Sequence, residues 1–147
     1  MLHVAIDIRD ARWKSRVRTY RKTVHEACGA AFATGRRRQA EMAVVLANDA
    51  FIRELNKTYR GKNKPTNVLS FPGEGDELGD VVLALETMET EAAAQGKTLR
   101  NHLTHLLVHG TLHLMGHDHE RDSDAEKMEA LEIKILEKLG VSNPYLS

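Results

Sequence analysis

A single cysteine, no long apolar run and no net charge set the first limits on this 147-residue chain. Cys28 stands alone, so no internal disulfide can form, and its Ala/Gly-rich helical surroundings point to a buried, inert thiol. Apolar runs such as Ala43–Ala47 and Val81–Leu85 are far too short to span a bilayer. The first residues carry Asp7 and Asp10 and lack a signal-peptide core, so a cytoplasmic protein without membrane contact is expected. There is no internal repeat, linker or low-complexity tract. Residues 1–147 read as one domain, large enough to bury about 70% of its unfolded surface.

The zero net charge conceals a division. Residues 1–64 hold 15 Lys/Arg against 6 Asp/Glu, and residues 65–147 hold the reverse. Basic groups concentrate in Arg9–Lys22, Arg36–Arg38 and Arg53–Lys64. Such polarity suits one positive face for a polyanion, and it equally suits solvated helix faces paired with the acidic half.

Periodicity gives alternating elements. Leu2–Ile8 alternates as a strand, and Trp13–Ala33 reads as one long helix. Ala43–Ala47 is a buried strand, and Asn48 caps a helix running to about Tyr59 with Phe51, Ile52 and Leu55 inward. A basic loop, Arg60–Pro65, precedes a strand Thr66–Phe71 stopped by Pro72-Gly73. Gly79-Asp80 leads into the strand Val81–Leu85. Helices follow at about Glu86–Gln95 and Leu99–Met115. Ser123 and Glu126 form a capping box for a last helix that Gly140 ends.

The most informative stretch runs from His109 to His119. His109 and His113 lie one helical turn apart, Gly116 follows three residues later, and His119 three beyond that. The spacing matches the zincin pattern H-E-x-x-H-x-x-G-x-x-H with Gly110 in place of the Glu that serves peptidases as general base. Residues four apart share a helix face, so two imidazoles can converge on one ion. A third ligand must arrive from off the helix axis, and Gly116 can take the left-handed turn that returns the chain. Three neutral histidines leave one coordination position open, the pattern of a catalytic rather than a structural site.

Two more histidines, His102 and His105, put four within an arc of about 80°. His105 and His109 therefore form a rival pair, although the turn directly after His113 favours His109, His113 and His119. His102 and His105 then read as supporting or core hydrogen-bonding groups. His117 is expected in the exposed turn, and Asp118 could orient a ligand ring. The bland alternative is a buried histidine stripe without metal, but several imidazoles among leucines need partners.

The histidine segment, together with Tyr59-Arg60-Gly61-Lys62, Pro65-Thr66-Asn67-Val68-Leu69-Ser70-Phe71-Pro72 and Leu78-Gly79-Asp80, resembles the YbeY family of bacterial endoribonucleases that mature ribosomal RNA. The resemblance covers about Asn48 to Leu139. It implies an α+β fold: a small mixed sheet of about four strands packed with helices, with a zincin-like metal-binding helix beneath it. It implies one Zn2+ per chain on His109, His113 and His119, and it carries the family's motif arginine over to Arg60. The family commonly has tyrosine where this chain has His117. Also implied are maturation of the 3′ end of small-subunit ribosomal RNA, ribosome quality control, and contacts with the small subunit, ribosomal proteins and a ribosome-assembly GTPase.

Three functions compete. A zinc-dependent, single-strand-specific endoribonuclease uses the ion as Lewis acid and Arg60 as a bidentate phosphate ligand, and RNA brings its own 2′-hydroxyl nucleophile. Read without the family, Arg60 is an ordinary surface arginine. Thr66–Phe71 would wall the cleft, with Asn67 and Ser70 as polar contacts or as plain strand residues. A peptidase would need a base from Asp118 or from Glu74–Asp80, since glycine at 110 cannot move a proton. A metal-stabilised assembly factor that binds RNA without cutting it suits the charge division equally.

Overall fold

The computed structural model describes residues 1–117 and 121–146. Its elements run β1 (Leu2–Ile8), α1 (Arg12–Arg16), α2 (Tyr20–Phe32), β2 (Ala40–Ala47), α3 (Asp49–Arg60), β3 (Val68–Pro72), β4 (Glu77–Ala84), α4 (Leu85–Ala94), α5 (Leu99–Leu114) and α6 (Asp122–Lys138). The strands form one mixed sheet in the order β1-β2-β4-β3, with β3 antiparallel to β4 and the other pairings parallel. This is the α+β architecture that the sequence implies. Among the described residues no helix is long and apolar enough to cross a membrane.

Strand patterning explains the layers. In β1 the apolar Leu2, Val4, Ile6 and Ile8 turn inward while His3, Ala5 and Asp7 face solvent. The second half of β4, Val81–Ala84, is buried on both faces and so reads as a continuous apolar run. Val81 and Leu83 join the larger core with Val44 and Leu46 of β2, Val24 and Ala27 of α2, and Leu103 and Leu107 of α5. Val82 and Ala84 join a smaller cluster with Ile52 of α3 and Leu69 of β3. Asn48 starts α3 as expected, its side chain accepting from the Phe51 N–H at 2.9 Å.

The helix α5 is pressed onto the sheet through two glycines. A Cβ at Gly110 would lie 3.0 and 3.2 Å from the Val81 methyls and 3.4 Å from Ser70 Oγ. From the other side, Gly79 has φ +136°, and a Cβ there would collide with the Phe71 carbonyl and approach Leu114 of α5.

Several boundaries differ from the periodicity. The expected long helix is two, broken after Arg16. The buried Trp13 indole donates to the Ala47 carbonyl at 2.8 Å, and this tertiary bond ties the short α1 to the end of β2. Pro72 closes β3 from inside, paired with Gly79, because an edge strand has no further neighbour needing its N–H. β2 and β4 begin earlier than their apolar runs, at Ala40 and Glu77. The Ser123/Glu126 capping box does not form. The helix starts two residues earlier, with Arg121 at the N-cap position and no side-chain cap, and Asp122 and Asp124 face the positive end of its dipole.

Substitution at the two glycines checks this packing. Gly110→Ala gains about 1 kcal/mol of helix propensity but overpacks the stiff Val81, by about 1–3 kcal/mol. The urea midpoint should fall modestly, and Gly79→Ala, strained in φ and blocked by backbone, should lower it much further. Equal midpoints for both variants and wild type would contradict the close approach.

Candidate active site

The C-terminal turn of α5 forms as the glycine suggests. Gly116 has φ +101°, its N–H donates to the His113 carbonyl at 3.0 Å, and the His117 N–H donates to the Leu112 carbonyl at 3.1 Å. These two bonds are those of a Schellman closure, which reverses the chain directly after the second histidine. His117 is half-buried in this turn rather than exposed. Asp118 and His119 lie outside the described residues, so the third expected ligand carries no geometry here.

His109 and His113 lie together on the wall of a cleft of about 520 Å³. Tyr59 and Arg60, at the end of α3, and Val68, Leu69, Ser70 and Phe71 of β3 complete it. The structure thus brings Arg60 into the same cleft as two of the three expected ligands. Tyr59 stands with its ring edge-on to Phe71, the centroids 5.3 Å apart. Asn67 does not line the cleft: its amide donates to Glu91 of α4 at 3.0 Å.

The charge division resolves by position. Arg9, Arg12 and Arg16 form ion pairs with Asp7, with Asp10 and Glu86, and with Glu89. Arg60, which lines the cleft, and Arg53, Lys57, Lys62 and Lys64 near it in sequence are exposed and form no ion pair among the described residues. Unpaired positive charge at a cleft is what a polyanion requires.

The other two histidines of the helix do not line this cleft. His102 is buried, and its Nε2 is 2.9 Å from the Glu91 carboxylate of α4. Burial pushes its pKa down while Glu91 opposes the shift. His105 and His109 both turn toward Glu132 of α6, a carboxylate with no solvent exposure. His109 Nδ1 hydrogen-bonds Glu132 Oε1, the Tyr145 hydroxyl donates to Oε2, and His105 Nε2 is 3.5 Å from Oε2. Burial alone would push the Glu132 carboxyl up, but the nearby His105 ring and the bonds from His109 and Tyr145 bring it down to about 2.

Sequence reasoning missed Glu132. The signal was present, because α6 buries Met128, Glu132, Ile135 and Leu136, and a glutamate in that apolar register demands buried partners. Tyr145 had no comparable signal.

Gly110 gains a second meaning here. Val81 and Ser70 crowd even a Cβ at this position, and glycine supplies no carboxylate between the two histidines to act as the base of the zincin pattern. Among the described residues no group of three His, Cys, Asp or Glu side chains is placed to hold a metal ion. The described part nevertheless fits a zinc site in its chemistry: two imidazoles share a polar cleft, one with Nδ1 already committed to a carboxylate.

The sequence pattern of the family described as endoribonuclease YbeY matches residues 5–140. An endoribonuclease YbeY of Parvibaculum lavamentivorans is 50% identical, over 84% of this chain and 76% of its own. One from Azorhizobium caulinodans is 57% identical, over 72% of this chain and 71% of its own. In three dimensions the chain resembles the solution structure of a Thermotoga maritima protein, with TM-score 0.58 and 22% identity across all of both chains, a likeness of fold.

Acid stability checks the buried carboxylate. A carboxyl held near 2 instead of its ordinary 4.5 adds stability that is complete above about pH 4.5 and is lost as pH falls toward 2. The unfolding free energy of wild type should therefore drop more steeply over that window than that of Glu132→Gln. Parallel slopes would contradict the assignment.

Proposed function

The chain belongs to the YbeY endoribonuclease family, and from that premise we propose that it is a zinc-dependent, single-strand-specific endoribonuclease. Its substrate is ribosomal RNA: it matures the 3′ end of the small-subunit RNA and serves ribosome quality control in the cytoplasm. The small ribosomal subunit, ribosomal proteins and a ribosome-assembly GTPase are the partners this role requires. The observation that carries the reading is the meeting of Arg60 with His109 and His113 in one cleft.

In this reading His109, His113 and His119 hold the ion. Bound there, zinc supplies Lewis-acid polarisation of a phosphoryl oxygen. Arg60, exposed at the cleft, takes the non-bridging phosphate oxygens with its planar fork and favours the charge that grows on them. The Val68–Phe71 wall excludes water along one side, and the exposed Tyr59 ring offers a face to an unstacked base. A duplex would hide its bases from that face, which supports single-stranded RNA as substrate. The space taken by Val81 and Ser70 at Gly110 weighs against a peptidase, which needs a carboxylate there.

Variant enzymes test this on purified precursor ribosomal RNA. His113→Ala and His119→Ala should remain folded, lose zinc and show no cleavage. Arg60→Ala should keep zinc and lose about 10²-fold in kcat/KM. Cleavage surviving in either histidine variant would overturn the zinc-dependent reading. Zinc-loaded wild type that binds RNA tightly and never cuts would favour an assembly factor instead.

A further inference from the structure

We propose that Glu132 is a positioning residue that sets the tautomer and ring orientation of His109 from behind the cleft, and that Tyr145 holds Glu132 in place. The inference rests on the metal reading above and deepens it.

An ionised carboxylate taken wholly out of water is expensive, and an apolar side chain of similar size often fills such a place at no loss of stability. Position 132 sits in the register of Met128, Ile135 and Leu136, where leucine would pack. The carboxylate there spends its oxygens on one set of partners: His109 on Oε1, and Tyr145 with His105 on Oε2. His109 is the partner that also reaches the cleft. It borders the cavity of about 210 Å³ that contains Glu132 and Tyr145, and it borders the cleft that contains Arg60 and His113.

The chemistry follows from the ring. A neutral imidazole bonded through Nδ1 to a carboxylate carries its proton on Nδ1, which puts the lone pair on Nε2. A divalent ion takes that lone pair, and a carboxylate behind the ring raises its basicity and fixes its direction. Tyr145 extends the chain of contacts by one link. Its hydroxyl anchors Oε2, and its ring stands edge-on to His105 with centroids 5.7 Å apart. The C-terminal segment thereby bears on the histidine site without entering the cleft.

The test uses full-length protein and two readouts. In the metal-free protein, long-range 1H–15N spectra should give His109 as the Nδ1–H tautomer. Glu132→Gln, whose amide oxygen still accepts, should keep it, and Glu132→Leu should lose it. Chelator-competition titration with Zn2+ should give affinity about 10–100-fold weaker in Glu132→Leu, a smaller loss in Glu132→Gln, and about three- to tenfold in Tyr145→Phe. Melting temperatures confirm that each variant is folded, and if Glu132→Leu is not, the other two carry the test. A purely structural role would move melting temperatures alone. Unchanged tautomer and zinc affinity within twofold of wild type in the folded variants would overturn the proposal. Wild type that binds no zinc would overturn it together with the metal reading. Wild type and variants that behave as stated, while RNA stays intact, would overturn only the proposed activity.

Discussion

The close approach of α5 to the sheet, through Gly110 on the helix and Gly79 on β4, is the constraint on which the site depends. Each glycine admits a side chain from the opposite element, Val81 against Gly110 and Leu114 against Gly79. Because the helix lies this close, its histidines line the same cleft as β3 and the end of α3. The same closeness crowds any side chain at position 110, between His109 and His113, and so favours glycine where the zincin pattern has a glutamate.

A second constraint acts from the far side. The four histidines of α5 are all half-buried or buried in a leucine-rich helix, and such groups need partners. Glu91 supplies one for His102, and Glu132 supplies one for His105 and His109. α4 and α6 are therefore more than covers for the core, since each carries an acid to the histidine helix. The basic groups divide in a parallel way. Arg9, Arg12 and Arg16 are paired with neighbouring acids, whereas Arg53, Lys57, Arg60, Lys62 and Lys64 form no ion pair among the described residues.

Much of this could be read from residues alone, for reasons that can be stated. The strict alternation of Leu2–Ile8 fixes β1, the Asn48 cap fixes the start of α3, and Gly116 fixes the turn after His113. In each, the signal is local and the structure forms locally. The break in the first helix was hidden because it depends on Trp13 reaching Ala47, 34 residues away. The start of α6 was misplaced because a serine–glutamate spacing imitates a capping box where an acidic first turn is used. For the site, histidine spacing marked His109 and His113, and the family motif marked Arg60. Their meeting in one cleft depends on how α3, β3 and α5 pack, which no local pattern encodes. Glu132 showed only as an acid in an apolar register.

The family supports RNA cleavage, and the shared cleft and the exposed basic stretch suit the proposed assistance by a bound ion. Metal content and activity measured on one preparation test that most directly. Elemental analysis of the native protein should find about one zinc per chain. Cleavage of single-stranded ribosomal RNA should stop when the zinc is stripped by chelator and return when zinc is restored. Undiminished cleavage by zinc-free protein would contradict the account.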